Sequence, residues 1–217
     1  MTGGIRLKVC GLTSLADAEF ADRLGADYLG FILYPGSPRH ISLEKFHAIQ
    51  GRLPEQKKVA VCVSPTAGEL REFKMAGADF IQVHFPLNTP ADEVSAWSEV
   101  AGPRKLWLAP RLPPETDLPD PILALADVFL LDTFSPGKFG GTGLPGDWTK
   151  FARHQGSHPR KSWILSGGLN PENITEALKQ SGARWVDVNS GVESAPGRKD
   201  RAKVEAFVGR LRAWPGH

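Results

Sequence analysis

Cysteine is scarce. Cys10 and Cys62 are the only two in 217 residues, far apart and without metal-ligand spacing, which argues against a disulfide framework and against a zinc site. Long apolar runs are missing as well. No stretch approaches the ~20 residues that span a bilayer, and the amino-terminal segment lacks the basic-then-apolar pattern of a secretory signal. Nor does one charge dominate. The 26 basic and 24 acidic residues leave a formal net charge of +2, too balanced for a nucleic-acid or membrane surface. What remains is ordinary usage, 41% hydrophobic and 23% charged, enough for a core and against disorder. These features predict a soluble, cytoplasmic protein with one domain over residues 1–217.

Along the chain, short apolar runs alternate with longer amphipathic ones. Strand-like runs fall at 5–9, 27–33, 58–63, 79–83, 105–109, 128–131, 162–165 and 185–188. Their continuous apolar character suits strands covered on both faces, as in a parallel sheet. Helical patterns lie between them at 15–24, 43–53, 67–75, 91–100, 148–154, 171–180 and 203–211, with only a short helix at 122–126 after the proline-rich 110–121. Thr13 or Ser14, Ser42 and Asn170 are candidate caps, with Pro171 at a first helical position. Gly25, Gly77 and Gly182 stand where a helix must stop before the next strand. Eight strands alternating with about eight helices in this length predict a (β/α)8 (TIM) barrel of the α/β class rather than an open sheet.

In such barrels the site forms at the carboxyl ends of the strands, so polar residues there become candidates. Cys10 ends the first strand, in "KVCGLT". A lone cysteine there is either a small core residue or a nucleophile or base. Cys62, inside an apolar strand, reads as core. Asp132 ends the sixth strand, ahead of a glycine-rich loop of the kind that closes over ligands, "FSPGKFGGTG"; it either caps its own turn or faces the barrel mouth. Arg39, in "YPGSPRHIS", and His84, ending "IQVH", lie on the same face. Arginine there suits fork-like binding of a carboxylate; the histidine is either satisfied by backbone or a substrate contact. Two glycine-bearing turns, "LSGGLNPEN" and "NSGVESAPG", follow the last two strands, where barrels often bind phosphate through backbone N–H groups.

Taken in order, "KVCGLT", "GADYLGFILYPGSPRHIS", "IQVH", "LLDTFSPGKFGGTG", "SGGLNPENI" and "VDVNSGVESAPGRKD" resemble the motifs of the phosphoribosylanthranilate isomerase family over nearly the whole chain. The resemblance implies a (β/α)8 barrel and an Amadori rearrangement in tryptophan biosynthesis. N-(5-phosphoribosyl)anthranilate would become 1-(2-carboxyphenylamino)-1-deoxyribulose 5-phosphate. It also implies Cys10 as general base and Asp132 as general acid, with Arg39 near the anthranilate carboxylate and His84 and Asp187 as substrate contacts. Phosphate would fall to Gly141, Gly167, Gly168, Ser190 and Gly191 on the glycine-rich loops. No cofactor or metal is required. The expected partner is a small phosphorylated substrate, with no nucleic acid and no membrane, and the chain acting as monomer or homodimer.

The chemistry asks for such a pair, since a carboxyl group must protonate the ribose ring oxygen while a thiolate removes the C2 proton. That demands two pKa values displaced in opposite senses within one site. The chain departs from the family pattern at Leu144, Pro145 and Gly146, at Phe85 after His84, and at Asn189 in place of serine. Other readings are a different phosphosugar barrel, or a silent barrel that only binds a phosphorylated metabolite. The first would want an aspartate at the first strand or a metal-binding His/Asp set; the second would need neither Cys10 nor Asp132.

Overall fold

The structure, a computed structural model, describes residues 4–55, 57–113, 116–132 and 147–216. Eight parallel strands pair in chain order and close on themselves: β1 (Arg6–Val9), β2 (Tyr28–Ile32), β3 (Lys58–Val63), β4 (Phe80–Pro86), β5 (Leu106–Arg111), β6 (Val128–Leu131), β7 (Ser162–Leu165) and β8 (Trp185–Val188). Between and after them run α1 (Leu15–Arg23), α2 (Leu43–Gln50), α3 (Ala67–Met75), α4 (Ala91–Ala101), α5 (Asp120–Leu123), α6 (Trp148–Ser157), α7 (Ile174–Ser181) and α8 (Arg201–Ala213). The predicted barrel is the observed one. No helix among the described residues is long and apolar enough to cross a membrane.

Local chemistry sets the helix boundaries. Ser14 and Ser42 each accept an N–H from three residues on, at 3.2 Å, and start α1 and α2. Thr66 and Glu69 form a reciprocal capping box at α3. Gly25, Gly77 and Gly182 take φ of +93°, +103° and +65° just after helices, a conformation that costs glycine little.

Three expectations fail for identifiable reasons. Asn170 does not cap α7, which begins at Ile174. Its amide oxygen instead accepts the N–H groups of Glu172 and Asn173, both at 3.0 Å, closing a tight turn that holds Pro171 outside the helix. Strands β4 and β5 run past 83 and 109, because each extends the other through Phe85–Pro110 and Pro86–Arg111 pairing. Finally, the segment after β8 is not a plain loop. A 3-10 turn (Ser190–Val192) leads into a small antiparallel pair, β9 (Glu193–Ala195) and β10 (Arg198–Lys199).

Alternation along each strand divides the core in two. One set of side chains packs between sheet and helices in a single large cluster. The other fills the barrel interior, including Cys10, Val59, Val61, Trp107, Ala109, Val128, Leu130, Ile164 and Trp185. At the amino-terminal end of the interior, Tyr28 stacks on Trp185 with centroids 4.8 Å apart and meets Trp107 edge-on at 4.8 Å. Phe80 and the Arg6 guanidinium complete this floor. The interior is therefore filled below, and its cavity lies toward the opposite end.

Candidate active site

The same period of two decides which polar groups enter that end. Cys10 follows Lys8 on β1, His84 follows Gln82 on β4, Asp132 follows Leu130 on β6, and Asp187 follows Trp185 on β8. Cys10, Gln82, His84, Asp132 and Asp187 border one cavity of about 500 Å³, together with Arg39, Ser166, Gly167, Gly168, Asn189 and Ser190. Of the residues expected at a site, the structure thus gathers Cys10, Asp132, Arg39, His84, Asp187, Gly167, Gly168 and Ser190. Gly141 lies outside the described residues, as do Leu144, Pro145 and Gly146.

Gly191 is not part of the cavity wall. A side chain there would begin 1.9 Å from the Leu169 carbonyl oxygen, so its bareness lets the turns after β7 and β8 press together. Gly167 and Gly168, at φ +96° and +61°, supply the left-handed turn that folds the β7 end back over the cavity.

Cys10 is held by its backbone N–H to the Val188 carbonyl at 2.9 Å and is 4% exposed. Burial pushes its thiol above the ordinary range; the charges of Lys8 and Lys199 oppose that shift and Asp187 adds to it. In the free protein the group is therefore a thiol at neutral pH. Room for it comes from Gly30 on β2, where an added side chain would meet Cys10 Sγ at 2.9 Å and Lys8 Cε at 3.0 Å. Cys62 stays in the sheet–helix core, its thiol donating to the Gln82 carbonyl at 3.5 Å. Burial displaces its pKa strongly upward, which leaves it inert.

His84 is neutral. Burial, reinforced by the Lys8 charge, lowers its pKa to about 4. Its Nε2 lies 2.8 Å from Nε2 of Gln82; with the amide donating, the ring proton sits on Nδ1. Asp132 is half-buried at the cavity edge.

Arg39 stands at the mouth, but its fork is already engaged. Nε lies 3.0 Å from both Glu193 oxygens and Nη2 lies 2.8 Å from Oε2. Lys199, also buried, donates to the same carboxylate at 2.9 Å and to the Asn189 side chain at 3.0 Å. Burial would raise the Glu193 pKa, but bonds from Arg39 and Lys199 hold it below the usual carboxylate range. A ligand carboxylate meeting Arg39 would use Nη1, the nitrogen that Glu193 leaves.

Sequence reading missed Lys8, Glu193, Lys199, Gln82 and Ser166. Lys8 left a weak signal, a charge within an apolar strand two residues before Cys10, though Arg6 stands in the same strand. Glu193 and Lys199 left none, because their partners come from elsewhere in the chain. Among the described residues, no group of three or more His, Cys, Asp or Glu side chains could hold a metal ion.

A closed parallel barrel with a polar cavity at its strand carboxyl ends defines a TIM-barrel enzyme. Residues 7–210 match the family described as "PRAI: N-(5'phosphoribosyl)anthranilate (PRA) isomerase". The chain is 38% identical over 208 residues to the N-(5'-phosphoribosyl)anthranilate isomerase of Neisseria gonorrhoeae, covering 94% of this chain and 95% of that protein. In three dimensions it resembles the phosphoribosyl anthranilate isomerase of Thermotoga maritima, with TM-score 0.81 and 31% identity over 96% of this chain and 99% of that one. A further crystal structure of such an isomerase, in complex with reduced 1-(o-carboxyphenylamino)-1-deoxyribulose 5-phosphate, matches at TM-score 0.78 and 30% identity, with the same coverage. The chain belongs to the phosphoribosylanthranilate isomerase family, enzymes of tryptophan biosynthesis.

Proposed function

We propose that this protein converts N-(5-phosphoribosyl)anthranilate to 1-(2-carboxyphenylamino)-1-deoxyribulose 5-phosphate, with Asp132 as general acid and Cys10 as general base. One observation carries the assignment of roles. A thiol and a carboxyl group, on the ends of β1 and β6, border the same cavity of about 500 Å³, a volume suited to a small-molecule ligand. Family membership, and the reduced product bound by a relative, support the substrate.

The Asp132 carboxyl group gives its proton to the ribose ring oxygen as the C1–O bond breaks. The anilino nitrogen supplies the electron pair that forms the C1=N iminium. Cys10, as thiolate, then takes the proton from C2, and that electron pair closes a C1=C2 bond while the iminium electrons return to nitrogen. The enolamine becomes the ketone by gaining a proton at C1 as the C2 hydroxyl loses one. Cys10 rests as a thiol, so it ionises as the cationic iminium develops, with Lys8 and Lys199 favouring the anion. The bare backbone at Gly167 and Gly168, with Ser190, supports phosphate binding at the far wall. Arg39 Nη1 supports a carboxylate contact, and neutral His84 offers an N–H rather than a charge.

The test is a fluorescence assay with freshly prepared N-(5-phosphoribosyl)anthranilate. Enzyme-dependent loss of substrate signal is expected from the wild type. Wild-type protein that bound the reduced product analogue tightly yet gave no turnover would overturn the proposal in favour of a silent binding barrel.

A further inference from the structure

Lys8 is the only charged residue within β1 that is completely enclosed, at 0% exposure. It faces the barrel interior one pleat below Cys10. An ammonium group in such a place loses its proton unless it is paired. Its Nζ lies 2.9 Å from Oδ1 of Asp187, its direct partner across the β1–β8 seam. The other carboxylate oxygen accepts from Ser166 Oγ at 3.4 Å. Burial works against the Lys8 charge, but Asp187 and Cys10 together outweigh it and hold its pKa above the ordinary value.

Stability alone is a poor reason for this pair. A buried ion pair is often replaceable by apolar side chains of similar volume at no loss, and apolar side chains such as Val61, Trp107 and Ile164 fill much of the same interior. Its position is more informative. Cys10 Sγ and Lys8 Cε both lie within 3.0 Å of the point where a Gly30 side chain would begin; the missing side chain brings thiol and lysine together.

The other groups around Cys10 do not replace Lys8. Lys199 of β10 has Glu193 and Asn189 as partners, and Arg39 has Glu193. His84 of β4 is neutral, and Asp132 of β6 is a carboxyl group on the cavity edge.

We infer that Lys8 is the counter-charge of the Cys10 thiolate, and that Asp187 acts through Lys8, setting how much of its field the sulfur feels, rather than as a sugar contact. Lys8 and Asp187 are then positioning residues, tuning a base they help to place. The catalytic consequence rests on Cys10 being the base, but the ionisation of the thiol can be measured without any reaction.

The experiment follows carbamidomethylation of Cys10 by iodoacetamide as a function of pH, with mass spectrometry separating Cys10 from Cys62. The midpoint of the profile is the readout, since intrinsic nucleophilicity changes with pKa. Asp187→Asn keeps the shape but removes the negative charge, so the midpoint should fall by about one pH unit, a roughly tenfold gain in thiolate at neutral pH. Lys8→Met combined with Asp187→Leu removes both charges and should raise it by about one unit. Opposite directions are the signature of the arrangement. Midpoints that stay put, or move the same way, overturn it. If the double variant fails to fold, Asp187→Asn alone decides, and an unchanged or raised midpoint refutes the inference. Shifted midpoints in a protein whose wild type shows no turnover would sustain the electrostatics and sink the isomerase assignment instead.

Discussion

Arg39 and Glu193 meet fork to fork, with Nε 3.0 Å from both carboxylate oxygens and Nη2 2.8 Å from Oε2, although 154 positions separate them. Lys199 and the Gly197 N–H close on the same carboxylate at 2.9 and 3.2 Å. The contact clamps the segment after β2 to the excursion after β8, on either side of Cys10. Glu193→Gln keeps the shape but removes the charge, leaving Lys199 buried beside a neutral amide. Unfolding stability should fall by about 3 kcal/mol, the scale of breaking a buried pair. Urea denaturation followed by tryptophan fluorescence checks this. The same variant should raise KM, because Arg39 loses the partner that orients it. A protein as stable as wild type would show the clamp to be dispensable.

The acid and base should separate from binding. Cys10→Ser cannot form an anion at neutral pH, so kcat should drop by roughly two to four orders of magnitude with an unchanged circular dichroism spectrum. Asp132→Asn should lose at least ~100-fold in turnover while calorimetry still finds near wild-type affinity for the reduced product analogue. Near-normal kcat in the serine variant would return Cys10 to the core.

Gly191→Ala tests the packing of the two turns. The new methyl group would begin 1.9 Å from the Leu169 carbonyl oxygen, and backbone cannot step aside as a flexible side chain does. Destabilisation of about 1–3 kcal/mol is expected, as for overpacking, together with weaker binding of inorganic phosphate as the turns separate. A variant that melted and bound phosphate like the wild type would contradict this.

His84 should impose a pH dependence on stability. Its pKa falls from 6.5 to about 4 on folding, so between those values the unfolded chain binds the proton and the folded one does not. Stability from this group is complete above pH 6.5 and is lost as pH falls toward 4, by at most about 3 kcal/mol. The cavity side of the ring is open to solvent, which reduces the effect. Urea midpoints at pH 7.5 and 5.0 should differ less in His84→Asn than in wild type.

Much of the fold was written in local pattern. Short, mainly apolar runs marked the strands, and Ser14, Ser42 and Gly182 marked helix ends, because these depend on neighbours a few residues away. Asn170 misled for the same reason, since a short amide serves a turn as readily as a cap. Strand-end position was enough to nominate Cys10, His84 and Asp132, though not to say what surrounds them.

The charges around Cys10 were decided only by closure of the barrel. Lys8 and Asp187 stand 179 positions apart and become partners because β8 lies beside β1 in one register. A slip of a single residue would turn Asp187 out of the interior. Arg39 likewise reads as a free carboxylate ligand until the β9–β10 excursion brings Glu193 and Lys199 against it. Sequence alone thus determined the barrel and nominated its strand carboxyl ends as the candidate site, since both follow from the alternation of strands and helices. The pairing of buried charges, and with it the ionisation of Cys10, required the tertiary structure, because Coulomb energy depends on distance in space and on the water excluded between groups.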